Sequence, residues 1–227
     1  MTTDTSQWYD LNSAIKIVET NKKFYKFYMH KLVYTIPGSY AVTIGHNIED
    51  VKKIIMRTYP LDIVAYKLSS ILAFHQFYIE RRSYDVRCRI ERNTVSIFAR
   101  DAQTLYQLAT NQLSSYIPEI LSTVTCEKTR DLLDKGFQIM KQETEYKFKV
   151  NIRDGFYKIV DDRRHLANYL QGLGDEVKIT KNILSALGSS NKYMSSGYFY
   201  VKDLRIVDLI KLIAPTVIRS VQPIVVH

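Results

Sequence analysis

The sequence predicts an α+β protein that consists of two related sheet modules in tandem. Three observations indicate this class. The 227 residues are 46% hydrophobic and 24% charged, which is typical of a globular chain long enough for two small domains. Only 8 glycines and 5 prolines interrupt the chain, so we expect most residues in regular elements. Segments with the two-residue period of a strand alternate with segments of helical period in both halves.

The first third of the chain is predicted to be mostly helical, because its apolar residues recur at intervals of three and four. The predicted elements are, in order, a long opening helix over 11–32, two short strands about the turn at Pro37 and Gly38, a helix over 48–59 ended by Pro60, a short strand over 61–66 and a helix over 67–81.

A hairpin is predicted over residues 84–101, YDVRCRIERNTVSIFARD, where apolar and polar residues alternate strictly. One face of this hairpin is apolar. The other face is predicted to form a basic surface that contains one aromatic ring, from Arg87, Arg89, Phe98 and Arg100. The alternative for this face is an ordinary solvated strand surface. Asp101 is predicted to cap the helix that follows, which makes capping a better account of this carboxylate than catalysis.

The second half begins with a predicted connecting helix over 126–142 that Gly136 interrupts, with Thr125 as its cap. The next segment, EYKFKVNIR (145–153), is a predicted strand. Its inner face would carry Phe148, Val150 and Ile152, and its outer face Lys147, Lys149, Asn151 and Arg153. The elements predicted after it are a helix ending near Gly172 and Gly174, a strand in EVKIT, a short helix capped by Thr180, a strand in SGYFYV, a helix capped by Asp203 and a final strand in VIRSVQPIVV.

Without the short helix, the order of elements from residue 145 onward is βαββαβ, the order of a ferredoxin-like domain. The first half predicts a similar series, including a strand in PEILSTVT, and the two halves share a strand that runs through a basic residue and an Asp into a helix, IFARD and YFYVKD. We therefore expect two tandem ferredoxin-like (βαββαβ-related) modules with extra helices, which arose by duplication. The predicted boundaries are 1–125 for the first module with its N-terminal helix, 126–144 for the connecting helix and 145–227 for the second module.

The stretch SGYFYV resembles the third strand of the RNA-recognition motif, which carries a basic residue, Gly, an aromatic, a small residue, an aromatic and an aliphatic. It keeps Gly197, Tyr198, Tyr200 and Val201, with Ser196 and Phe199 at the basic and small positions. The segment LANYLQGLGDEV also looks like the run from the family's first helix into its second strand. The segment YKFKVNI departs from the family's first strand, and the extra helix lies where the family has a loop. The resemblance implies single-stranded RNA binding by outward aromatic residues.

Alternation in this strand places Tyr198, Tyr200 and Lys202 on the face opposite Phe199 and Val201. If the two strands are neighbours, these residues join Lys147, Lys149 and Arg153. Such a face offers cations for phosphates and rings for bases. The alternative is that both tyrosines pack beneath the extra helix or against a partner subunit.

The net charge of +9 favours polyanionic partners, and 17 tyrosines indicate wet, semi-apolar interfaces. The first interpretation is a non-enzymatic protein that binds single-stranded RNA or DNA. The second is a structural or assembly component, such as a virion protein, that forms homo-oligomers or contacts other subunits through its tyrosine-rich faces. The Lys-, Ile- and Tyr-rich composition is typical of AT-rich genomes such as those of phages, so a viral or phage protein is one expectation. The expected location is the cytoplasm, which for a viral protein means the host cytoplasm or the virion.

Other classes of function have little support in the sequence. No apolar run is long enough for a membrane span, and Cys88 and Cys126 lack the spacing of a disulfide framework or zinc site. The phosphate-loop, hydrolase, zincin and dinucleotide motifs are missing, so no cofactor and no catalytic or metal residue is expected. A metal-dependent nuclease using Asp162, Glu176 and Lys178 is the strongest enzymatic alternative, although a helix between the two acids fits adjacent strands poorly.

Overall fold

The computed structural model describes residues 5–45, 47–59, 61–156 and 161–226, without the side chains of 61–67, 82, 156 and 161. The chain divides into two compact units, Met1–Arg130 and Asp131–His227, which we call module 1 and module 2. Each module has its own five-stranded mixed sheet. The predicted α+β class and the two sheet modules are therefore confirmed.

Module 1 consists of five strands and the helices between them. Its strands are β1 (Lys16–Glu19), β2 (His30–Thr35), β3 (Arg87–Glu91), β4 (Thr94–Ala99) and β5 (Ile120–Thr123). Its helices are α1 (Gln7–Leu11), α2 (Ala41–Ile44), α3 (Ile48–Thr58), α4 (Leu61–Glu80) and α5 (Ala102–Thr110), with a 3-10 helix at Arg81–Tyr84. Helix α6 (Glu127–Asp134) spans the boundary to module 2.

Module 2 has a second sheet of five strands and a small two-stranded sheet of β8 and β10. Its strands are β6 (Gln138–Met140), β7 (Phe148–Ile152), β8 (Gly155–Phe156), β9 (Val177–Lys178), β10 (Tyr193–Met194), β11 (Gly197–Val201) and β12 (Ile218–Val226). Its helices are α7 (Asp161–Gly172), α8 (Lys181–Gly188) and α9 (Leu204–Ile213), with a 3-10 helix at Gly174–Glu176.

The two sheets have the same order and the same strand directions. The order is β1-β5-β2-β4-β3 in module 1 and β6-β12-β7-β11-β9 in module 2. In each sheet the first strand of the module runs parallel to the last strand, and every other pair of neighbours is antiparallel. Each strand of one sheet therefore has a counterpart in the other.

Each sheet packs one face against helices. In module 1, the inward residues Leu32, Ile97 and Leu121 join buried residues of α3, α4 and α5 in one core. In module 2, the inward residues Val150 and Phe199 join residues of α7, α8 and α9 in another. Because side chains alternate along a strand, this burial fixes which residues lie on the outer face of each sheet.

Several sequence predictions hold locally. Residues 48–58 and the hairpin of β3 and β4 form as predicted. The predicted caps also form, since Asp101 Oδ1 accepts from Thr104 N at 2.7 Å and Asp203 Oδ1 accepts from Arg205 N at 2.9 Å. Pro60, which was expected to end the helix over 48–59, lies outside the described residues.

The long helix predicted over 11–32 is wrong. This segment instead forms the end of α1, strand β1, a loop and the start of β2. The physical reason is pairing at long range: β1 pairs with β5, and β2 lies between β5 and β4. Strand pairing of the β-branched residues outweighs the helical spacing of the apolar residues in this segment. Some of the residues that produced that spacing are aromatic residues of the loop between β1 and β2.

Three other predicted elements differ from the structure. Residues 61–66, predicted as a strand, form the first part of α4, a helix that contains no Gly or Pro. After the turn at Gly38, the second short strand predicted near Pro37 is replaced by α2. The connecting helix predicted over 126–144 is helical only over Glu127–Asp134, because Gly136 has a left-handed φ of 87° and β6 follows it.

A buried histidine lies where β2 begins. His30 is 2% exposed, and its Nδ1 lies 2.6 Å from Thr123 Oγ1 of β5. The pKa of His30 is lowered from 6.5 to about 4, mainly because the side chain is buried and also because of the nearby positive charge of Arg130, while Asp101 acts in the opposite direction. The imidazole is therefore neutral in the folded protein at neutral pH.

We predict that His30 makes module 1 less stable in mild acid. The unfolded chain protonates this side chain near its ordinary pKa of 6.5, and the folded chain only near 4, so the unfolded state binds more protons between these values. The free energy of unfolding should fall by roughly 3 kcal/mol as pH falls through this window, and the contribution is complete above it. Denaturant unfolding at several pH values, with His30→Gln for comparison, measures the effect. Equal slopes for both proteins would contradict it.

Candidate functional site

The outer face of the module 2 sheet carries two tyrosines of the central strand β11. Phe199 and Val201 of this strand are fully buried, so Tyr198 and Tyr200 point to the opposite side. Tyr198 is 48% exposed, and Tyr200 is partly exposed. The strand therefore presents aromatic rings on a face that no helix of module 2 occupies among the described residues.

The short helix α8 lies on the other side of the sheet. Gly197 shares the inward side with Phe199, and a Cβ at this glycine would come within 2.3 Å of Ile183 Cδ1 of α8. Leu187 of the same helix belongs to the buried core with Phe199. The alternative in which α8 covers Tyr198 and Tyr200 is therefore wrong, because the helix needs the apolar side of the sheet to bury its own leucine.

Three tyrosine rings lie next to each other on this face. The centroids of Tyr198 and Tyr200 are 5.5 Å apart with the rings edge to face, and Tyr146, which precedes β7, lies 6.4 Å from Tyr200. Burial raises the pKa of Tyr200, and Tyr198 raises it further, so the phenol remains neutral at physiological pH. We refer to Tyr146, Tyr198 and Tyr200 as the tyrosine cluster.

Cationic and amide side chains surround the tyrosine cluster. Lys149 Nζ lies 4.3 Å from the centre of the Tyr198 ring and donates to Gln138 Oε1 at 3.2 Å. Asn151 Nδ2 donates to Ser220 Oγ at 3.3 Å and to Gln222 Oε1 at 3.0 Å. The face is therefore polar between its rings, and its amides are ordered by hydrogen bonds to one another.

The sheet register aligns these groups in a row that crosses four strands. Tyr200 lies opposite Lys149 of β7 on one side and Lys178 of β9 on the other. Gln222 of β12 completes the row beside Lys149. An aromatic ring thus lies between two lysines, at the spacing of neighbouring strands.

The predicted site residues that lie at the ends of the strands contribute less to this surface of rings and cations. Lys202 pairs with Glu145 at 2.7 Å and Glu176 at 3.8 Å, and the hydrogen bond that it donates to Glu145 is the main cause of the raised pKa of this lysine. Lys147 and Arg153 are exposed at the two ends of β7. The structure therefore brings Lys149, Tyr198 and Tyr200 together, whereas the charge of Lys202 is balanced by carboxylates.

The sequence prediction missed two members of this face. Lys178 follows the buried Val177 in the short strand β9, and Tyr146 lies three residues before Lys149. The alternation in EVKIT could have placed Lys178 outward. No local pattern identifies Tyr146, since it lies in a loop.

The outer face of module 1 differs from its prediction. Phe98, expected as an aromatic ring on a basic surface, is only 4% exposed. The loop Phe24–Tyr28 covers it, with the rings of Phe24, Tyr25 and Tyr28 at 5.5, 4.9 and 6.4 Å. The cause is the hydrophobicity of a phenylalanine ring, which has no polar atom and gains from being covered.

The predicted arginines of module 1 are exposed but contact this loop or a carboxylate. Arg87 Cζ lies 3.9 Å from the centre of the Tyr25 ring, and Arg100 Cζ lies 4.6 Å from that of Phe27. Arg89 forms an ion pair with Glu91. All three arginines therefore contact the loop that covers Phe98, because Arg89 also forms a hydrogen bond with the Tyr25 side chain.

The two modules have equivalent rows on their outer faces. In module 1 the register aligns Ser122, Lys31, Phe98 and Arg87, and in module 2 it aligns Gln222, Lys149, Tyr200 and Lys178. In each module a tyrosine three residues before the central lysine, Tyr28 or Tyr146, lies 6.4 Å from the aromatic ring of the row. The interplanar angles of these two pairs are 39° and 38°.

A metal site and a membrane-spanning helix each set requirements with which the described residues can be compared. Within the described ranges, no group of three or more His, Cys, Asp or Glu side chains is arranged to hold a metal ion. Asp162 lies at the start of α7 and Glu176 in a 3-10 helix, and the latter contacts Lys202. In that same part of the chain, every helix is too short or too polar to cross a bilayer.

Comparison of the chain with known protein families, curated proteins and solved structures finds no match. The arrangement of residues on the two outer faces is therefore the basis for any functional conclusion.

We predict losses of stability of very different size for adjacent residues of β11. Phe199→Ala should lower the free energy of unfolding by about 3–5 kcal/mol, because it removes a buried ring. Tyr198→Ala should lower it by about 1 kcal/mol or less, because this ring is half exposed. Denaturant unfolding of both variants measures the difference. Similar losses would show that the outer face is buried in solution.

Proposed function

We propose that this protein binds single-stranded nucleic acid, without catalysis, through the outer face of module 2. The observation that carries this proposal is the row in which Tyr200 lies between Lys149 and Lys178, with the exposed Tyr198 beside it. Rings and cations alternate here at the spacing of neighbouring strands. This combination supplies the two interactions that single-strand binding uses, base stacking and phosphate neutralisation.

The energetics are adequate for a binding site of this kind. A base that stacks on an aromatic side chain contributes roughly 1–3 kcal/mol, and two tyrosines of the face are accessible. The lysines add attraction to phosphates that depends on salt, which agrees with the net charge of +9. The hydrogen-bonded amides of Asn151 and Gln222 lie opposite Tyr198 and Lys149 in the sheet, so polar groups adjoin the exposed ring.

We infer that both modules are ferredoxin-like units that arose by duplication. Three features support this: the common strand order, the equivalent rows and the matching pairs of Tyr28 with Phe98 and Tyr146 with Tyr200. The resemblance of SGYFYV to the third strand of the RNA-recognition motif agrees with this inference, since that family binds RNA through the same face of such a sheet.

A role in assembly is the second candidate, and a different surface favours it. Helix α9 buries Ile206, Val207 and Ile210 but leaves Leu209 48% and Leu212 80% exposed. Exposed leucines one helical turn apart are typical of surfaces that contact another protein. If they form a contact between copies, Leu212→Glu should convert an oligomer to a monomer in light scattering. A wild-type monomer would count against this candidate.

We predict that binding of a single-stranded oligonucleotide weakens steeply with salt. Each phosphate contact contributes about −0.7 to the slope of log K against log salt. Replacing Lys149 and Lys178 with Gln should make this slope shallower by about 1.4 while the fold is retained. Titrations at several salt concentrations, followed by fluorescence anisotropy, measure the slopes.

Lys181→Gln is the matched control for this experiment. It removes one charge from the same module, but at the start of α8 on the helical side of the sheet. This variant should keep the wild-type slope. The same slope in all three proteins would exclude the outer face as the site of phosphate contact.

A further inference from the structure

The loop Phe24–Tyr28 on module 1 is a tight turn held by its own hydrogen bonds. Tyr28 N donates to Phe24 O at 2.9 Å, and Phe24 N donates to Tyr28 O at 2.7 Å. Between them, Tyr25 and Lys26 have left-handed φ values of 50° and 64°. Such a conformation is unfavourable for residues other than glycine, so contacts outside the turn must stabilise it.

At Tyr25 itself, those contacts are made by its ring. It lies edge to face on Phe98 with the centroids 4.9 Å apart, and Arg87 Cζ is 3.9 Å from its centre. Arg87 and Phe98 are opposite each other in the sheet. The row of module 1 thus binds a flat ring between an aromatic side chain and a guanidinium group.

No ring among the described residues of module 2 lies between Tyr200 and Lys178. Tyr198 contacts Tyr200 edge to face at 5.5 Å, but the cation over its ring is Lys149 of the opposite neighbouring strand. Its equivalent loop runs from 141 to 147, seven residues, whereas the loop between β1 and β2 runs from 20 to 29, ten residues. Tyr146 takes the place of Tyr28, so the shorter loop lacks the segment that carries Tyr25. Tyr200 and Lys178 occupy the positions of Phe98 and Arg87.

We infer that a base of single-stranded nucleic acid binds module 2 in the position that Tyr25 occupies on module 1, against Tyr200 and beneath Lys178. This inference rests on the proposed function and deepens it. Each chain then binds one strand, on module 2, because the loop of module 1 fills the equivalent site. Lys149 and Lys178 on either side of Tyr200 favour a phosphate-linked ring over the aromatic side chain of a peptide.

The test is a stoichiometric titration with a short single-stranded oligonucleotide, measured by calorimetry on the full chain. Wild-type protein should bind one strand per chain, and Tyr200→Ala should weaken this binding roughly tenfold or more. Arg87→Gln should leave it unchanged. Tyr25→Gly removes the ring and suits the left-handed backbone, so it should open module 1 and raise the stoichiometry to two strands.

Two further variants make this result specific. Lys26→Gly relieves the same backbone strain but keeps the Tyr25 ring, so its stoichiometry should remain one. Adding Arg87→Gln to Tyr25→Gly should return the stoichiometry to one, because the second site needs the guanidinium. Thermal unfolding of each variant establishes that it is folded.

The outcomes separate this inference from the proposed function. Binding that is lost with Arg87→Gln and kept with Tyr200→Ala would overturn the inference and leave nucleic-acid binding in place. A stoichiometry of one for Tyr25→Gly would also overturn it. If the oligonucleotide does not bind to wild-type protein, and a peptide with the sequence of residues 22–31 does, both are overturned in favour of an aromatic peptide ligand.

Discussion

Burial of alternate residues in the central strands determines what each sheet presents to solvent. Phe199 and Val201 of β11 have no exposed surface, and Ile97 of β4 has none either. A shift of one residue in register would expose these side chains and bury the polar ones, so hydrophobic packing fixes the register strongly. The outer rows of both modules are consequences of this packing, because every residue in them lies next to one that the core requires.

The equivalent rows of the two modules differ in how far other residues cover them. Phe98 has no polar atom, and in module 1 a loop of aromatic residues covers it. Its counterpart Tyr200 carries a hydroxyl group that water can solvate, and only Tyr146 and Tyr198 contact its ring among the aromatic residues described. A single difference in side-chain chemistry thus accompanies a difference in loop length, and Tyr200 is partly exposed where Phe98 is buried.

The charged side chains on the outer faces of the two modules also have different neighbours. Around the tyrosine cluster, Lys202 is balanced by Glu145 and Glu176, whereas Lys149 and Lys178 lie beside the rings at the centre of the face. On module 1, Arg87 and Arg100 lie over rings of the covering loop. Lys149 of module 2 also lies over a ring, that of Tyr198, but this ring belongs to the sheet itself and not to a covering loop.

The sequence by itself determined the α+β class, the two sheet modules, the hairpin of β3 and β4, the helix caps at Asp101 and Asp203 and the outward direction of Tyr198 and Tyr200. These features depend on neighbours within a few residues, through alternation, capping and turns. Only the tertiary structure decided that residues 16–19 are a strand, that the strand predicted before Pro37 begins at His30, that Phe98 is covered and that Lys178 lies beside Tyr200. These depend on pairing between segments up to about a hundred residues apart, and local spacing carries no information about which distant strand supplies the partner.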